Sequence, residues 1–143
     1  MCALLAAVGL STDANAQTKE CQRAEFEAVV DEAGRTLRQI NGQQKPKFQM
    51  KLRALREKRG WSDKEFRQKA TPFVQDEETT KYDERIRQRL FDITNLGTSE
   101  SESATTADCK LLNELRSALG DLVEALEGKW SYLFAKIDKA LAE

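Results

Sequence analysis

The sequence predicts an all-α fold, an up-and-down helical bundle of about four main helices plus one short helix, with a long C-terminal helix. Three observations predict it. Gly and Pro number only 7 and 2 among 143 residues while charged residues make up 33% of the chain, a composition that favours amphipathic helices over a β-rich domain. Apolar residues recur at intervals of three and four along nearly the whole length, the period of one helical face. Capping and stop signals punctuate those runs at helix-like spacings.

The first helix is expected over Thr18 to Ile40, with Phe26, Val29, Val30, Ala33, Leu37 and Ile40 on one face and Asn41-Gly42 as its stop. Pro46 opens a second helix carrying Phe48, Leu52 and Leu55, which Gly60 closes. Ser62 followed by Glu65 forms a capping box and starts a short helix with Phe66 that ends near Ala70. Thr71-Pro72 is a new cap and first-turn signal, and Asp76, Glu77 and Glu78 follow where a helix dipole favours acids. Tyr82, Ile86, Leu90 or Phe91, and Ile93 continue the stripe to Leu96-Gly97. The sequence leaves open whether residues 72–96 are one helix or bend near Thr79-Thr80.

The last helix is expected after a cap at Thr105 or Thr106. Leu112, Leu115, Leu119, Leu122 and Leu126 are followed by Trp130, Leu133, Ile137 and Leu141, a run of about 54 Å. Gly120 and Gly128 mark positions for a bend or break. The heptad-like part is too short for a free-standing coiled coil, so it reads as a seam packed on the other helices.

Residues 1–16 read as a secretory signal peptide, probed by an apolar Met1–Leu10 run and small residues at Ala14-Asn15-Ala16. The absence of a basic start places the true beginning of this leader upstream. The apolar run is well short of the roughly 18 residues that span a bilayer, so no transmembrane segment is expected. Cleavage would leave residues 17–143 as a single helical domain beginning at Gln17, with a flexible loop near residues 97–106, in the periplasm or secreted. Removing the leader removes Cys2, leaving Cys21 and Cys109. In an oxidising compartment these are expected to pair as a structural disulfide rather than remain free thiols or bridge two chains.

The chain contains no histidine, which removes the usual general base and the commonest metal ligand. It also lacks a Cys-x-x-Cys pair, a glycine-rich phosphate loop and a Gly-x-Ser-x-Gly elbow. No catalytic residue, cofactor or metal is therefore expected. The remaining catalytic candidates are the carboxylates Asp76, Glu77, Glu78, Asp83 and Glu84, whose first reading is a solvated helix start.

Charge is unevenly placed. Residues 45–69 hold ten bases and three acids, whereas residues 98–128 hold seven acids and two bases. The near-neutral total argues against nucleic acid as a partner. Lys47, Lys51, Arg56 and Arg59, with Trp61 at the corner, form the expected binding face for a protein or an anionic envelope component. The competing reading has these charges solvating a packed helix and Trp61 plugging the end of a core. Trp130, Tyr132 and Phe134 cannot all face one core, and aromatic surface exposed there would suit a partner or a homodimer contact. The leading functional expectation is an exported, non-enzymatic protein that binds another macromolecule in the cell envelope, as an adaptor, a chaperone-like factor or an inhibitor or immunity protein. The alternatives are a carboxylate-dependent hydrolase acting on cell-wall glycan and a structural self-associating module.

Overall fold

The structure, a computed structural model, describes residues 21, 23–98 and 106–143. Five helices follow one another: α1 (Arg23–Arg59), α2 (Asp63–Lys69), α3 (Thr71–Val74), α4 (Glu77–Thr98) and α5 (Thr106–Ala142). The described residues contain no strand. The expected leader, residues 1–16, and residues 99–105 of the expected loop lie outside the described residues, while Gly97 and Thr98 belong to α4 and Thr106 to α5.

Cross-helix pairs fix the topology. Cys21 meets Cys109, Glu25 meets Arg116, Asn41 meets Trp130 and Lys51 meets Asp138, so α1 and α5 run parallel. Arg89 meets Asp121, Arg85 meets Glu124 and Asp83 meets Lys129, so α4 runs antiparallel to α5. The chain thus goes down α1, turns through α2 and α3, returns up α4 and descends again along α5. At about 1.5 Å per residue, the 37 residues of α1 and of α5 each span about 55 Å and the 22 of α4 about 33 Å. α4 therefore covers only part of the long pair, and α2 and α3 close the lower end.

The apolar interior divides accordingly. An upper core joins Phe26, Val29 and Ala33 of α1 to Ile93 of α4 and to Leu112, Leu115, Ala118 and Leu122 of α5. A lower core joins Phe48, Leu52 and Leu55 to Leu133, Ile137 and Ala140, roofed by Trp61, Phe66 and Phe73 from the α2–α3 corner.

The two helices expected on either side of Asn41-Gly42 are one continuous α1, with Pro46 inside it. Leu37 and Phe48 are 11 residues apart, just over three full turns, so the apolar face stays in phase across the interruption. Packing along α5 rewards that continuity and overrides the local stop signal. Pro46 removes the helical donor to the Gly42 carbonyl, but Gly42, Gln43 and Pro46 are all exposed, within reach of water. Nothing lies within 4 Å of where a Gly42 Cβ would stand. Gly42→Ala is expected to raise stability by about 0.5–1 kcal/mol, read as a higher urea midpoint. A loss would mean that this stretch is not helical.

The corner follows its local signals closely. Gly60 adopts φ +64°, which only glycine enters at no steric cost, and ends α1. The Ser62 hydroxyl accepts from the Glu65 amide at 3.3 Å while the Glu65 carboxylate accepts from the Ser62 amide at 2.9 Å, completing the capping box. Segment 72–96 breaks at Gln75, which is extended, rather than at Thr79-Thr80. α5 passes through both of its interior glycines. A Cβ on Gly128 would lie 2.9 Å from the Tyr82 ring, so this glycine serves the close approach of α4.

Candidate functional site

The expected binding-face residues lie along the lower part of α1 and at the corner after it, turned to different sides of the helix, and most of the bases there have intramolecular partners. Lys51 pairs with Asp138, and Arg56 pairs with Asp63 at 2.6 Å while its Nε donates to the Trp61 carbonyl at 3.2 Å. Arg59 reaches Glu143 at 3.5 Å and donates to the Ala140 carbonyl at 3.3 Å, and Lys58 donates to the Leu141 carbonyl. These two bases satisfy carbonyls that the last turn of α5 leaves open and complement its dipole. Trp61 is half-buried against the lower core, with the Lys69 ammonium 5.8 Å from its ring centroid. It plugs the corner. Lys47, Arg53, Lys64 and Arg67 are exposed and carry no ion pair among the described residues.

The catalytic carboxylate candidates are all engaged. Glu77 and Glu78 flank Lys81 at 3.1 and 3.3 Å, Asp83 pairs with Lys129, and Glu84 pairs with Arg87 at 2.7 Å. Asp76 is the centre of a tighter cluster. It precedes α4, where its carboxylate accepts from the Thr79 amide at 2.8 Å and its own amide donates to the Thr79 hydroxyl at 2.7 Å. Thr79 is fully buried, so this reciprocal cap meets the requirement that buried polar groups be bonded. From α5, the Tyr132 hydroxyl donates to Asp76 at 2.6 Å, and the Lys136 ammonium donates to both Asp76 and the Pro72 carbonyl. Among the described residues no group of three or more Cys, Asp or Glu converges as metal ligands.

The hydrogen bond from Lys136, then those from the Thr79 amide and the Tyr132 hydroxyl, hold the Asp76 carboxyl well below the usual carboxylate range. A group so depressed is a poor proton donor at neutral pH. The same contact with Asp76 pushes the Tyr132 phenol up to about 12. A folded state with a depressed carboxyl binds fewer protons than the unfolded chain, so the Asp76 contribution is present above about pH 4 and is lost as pH falls. The raised phenol contributes stability below about pH 10 that is lost as pH rises through about 12. Asp76→Asn is expected to flatten the acid limb of the stability–pH curve, measured by urea unfolding between about pH 2 and 5. An acid slope identical to that of the native chain would assign the limb to other carboxylates.

The aromatic residues near the C-terminus divide as their spacing requires. Trp130 and Phe134 turn to α1 and meet Phe48, with ring centroids 6.0 and 5.6 Å from it, whereas Tyr132 faces the α3–α4 corner. The Trp130 indole N–H donates to the Asn41 side chain at 3.0 Å. The larger exposed apolar side chains are instead Met50, Val74 and Phe91.

Below the upper core, α1 and α4 part while both remain on α5, and a groove of about 410 Å³ opens between them. Leu126, Trp130 and Leu133 form its floor, Leu37 and Phe48 stand on the α1 side, and Val74 and Ile86 stand opposite. Three charged residues line it. Asp83 and Lys129 pair with each other, and Lys45 has no ion-pair partner among the described residues. No local motif announces this groove or the Asp76 cluster, because each joins residues far apart in the chain. The Tyr132/Lys136 spacing of four, which places both on one helix face, is the nearest sequence signal for the cluster.

Cys21 and Cys109 lie at disulfide distance, their Cα atoms 5.0 Å apart, tying the start of α1 to the start of α5. No described helix is long and apolar enough to cross a membrane. No protein-family model, curated protein or solved structure matches the chain.

Proposed function

We propose that this chain is an exported, non-enzymatic helical-bundle protein that binds another macromolecule of the cell envelope, in an adaptor, chaperone-like or inhibitor and immunity role. The observation that carries this reading is the set of exposed bases that have no counter-ion among the described residues of the lower bundle: Lys47 and Arg53 on α1, Lys64 and Arg67 on α2. Their neighbours Lys51, Arg56 and Arg59 are occupied in holding α2 and α5, so the docking surface is the unpaired subset rather than the whole basic segment. An unbalanced cationic face attracts an anionic partner and raises its rate of association. The disulfide-distance pair and the absence of a membrane-spanning helix among the described residues accord with residence outside the cytoplasm.

The test is the double substitution Lys47→Glu/Arg53→Glu in the mature protein, used to capture partners from its own envelope extract. The thermal midpoint is expected to stay near its native value, because exposed charges contribute below about 1 kcal/mol each. Capture should weaken in the variant, and native capture should fall as salt rises, since screening acts within about 8 Å at 0.15 M. Undiminished, salt-insensitive capture by the variant would refute the basic surface.

A further inference from the structure

We propose that the groove between α1 and α4 binds one fatty acid, its hydrocarbon tail lying on Leu126, Trp130 and Leu133 and its carboxylate paired with Lys45. The volume of about 410 Å³ lies within the roughly 300–1,000 Å³ of small-molecule sites. Eight of its thirteen lining residues are apolar, including most of the floor, with Asn41 and Gln49 as the uncharged polar residues on the α1 side, which calls for a largely apolar occupant. Its charge calls for one anionic end: Asp83 and Lys129 neutralise each other across the α4–α5 contact, and Lys45 is the lining charge without an ion-pair partner among the described residues. An amphiphile with a single carboxylate answers both requirements.

The surroundings favour such a ligand over a partner helix. A protein interface needs on the order of 800 Å² from each side, yet beside the groove α1 exposes Arg38 and Arg53 and α4 exposes Asp83 and Arg87. The apolar footprint ends where the groove ends. Trp130 lies on the floor and donates to Asn41 at the α1 edge, so an arriving tail alters the environment of its indole. The chain holds just one other tryptophan, Trp61, packed into the lower corner.

The experiment follows Trp130 fluorescence in a Trp61→Phe background during titration with octanoate, decanoate and laurate below their micelle concentrations. Saturable binding is expected, tightening by up to about fourfold per added methylene. Dodecyltrimethylammonium, with the laurate chain length class but a cationic head, should bind at least tenfold more weakly. Lys45→Glu should reverse that preference. Val74→Phe, at a position 42% exposed, should fill the groove and abolish the response while leaving the unfolding midpoint near native. A response confined to micellar concentrations, or laurate affinity unchanged in both variants, would overturn the proposal. So would binding of an acidic amphipathic peptide with no response to laurate, which would give the groove to a protein. None of these outcomes bears on capture through Lys47 and Arg53, so the two readings fail separately.

Discussion

Leu122→Ala is expected to lower unfolding free energy by about 2–5 kcal/mol, one of the two largest effects foreseen for the chain. Leu122 is 1% exposed in the upper core, among α1, α4 and α5 side chains. Truncation there removes burial and leaves a cavity enclosed by helices that cannot all collapse inward. Leu119 lies on the same helix but is only partly buried against that core, so Leu119→Ala should cost less than half as much. Urea unfolding of the two variants, with m-values compared, measures both. Equal losses would mean that the seam on α5 is wrongly oriented.

The second large effect is at the disulfide. Cys21 and Cys109 are separated by 88 residues, and closing a loop of that length restrains the unfolded chain by about 4 kcal/mol in the chain-entropy account. Cys21→Ser/Cys109→Ser is therefore expected to lose roughly this amount while retaining its helical circular dichroism. The loss should appear equally on reduction of the native chain. Mass spectrometry with and without reductant tests the bond itself, and free thiols in the unreduced protein would remove the basis of the prediction.

Local signals in the sequence located the helical residues well, and long-range consequences much less so. The Ser62/Glu65 box, the Gly60 stop and the Leu112–Leu141 stripe depend on neighbours within one or two turns, which the chain order displays directly. Of the adjacent pair Leu90 and Phe91, the structure turns Leu90 toward the upper core and leaves Phe91 60% exposed, a choice that depends on long-range packing rather than on the local stripe. The join at Asn41-Gly42 was legible only as phase: Leu37 and Phe48 belong to one face if no break intervenes, while glycine and proline locally argue for two helices. Packing against α5 decided between them. The engagement of Lys51 and Arg59 was not legible at all, because it needs α5 to end beside α1, and that depends on the two helices running parallel, whereas Arg56 bonds within the corner, to Asp63 and the Trp61 carbonyl.

That parallel pairing has a further consequence, for when the chain can fold. The links between α1 and α5 join residues 81 to 91 positions apart, so the first helix has no finished partner until the last has been made. Such a wiring raises contact order and delays closure of either core. During synthesis the emerging segments have only their own local helical preferences, since neither core holds its full set of side chains before α5 is complete. On this wiring, neither core can close until the final turns of α5 have left the ribosome.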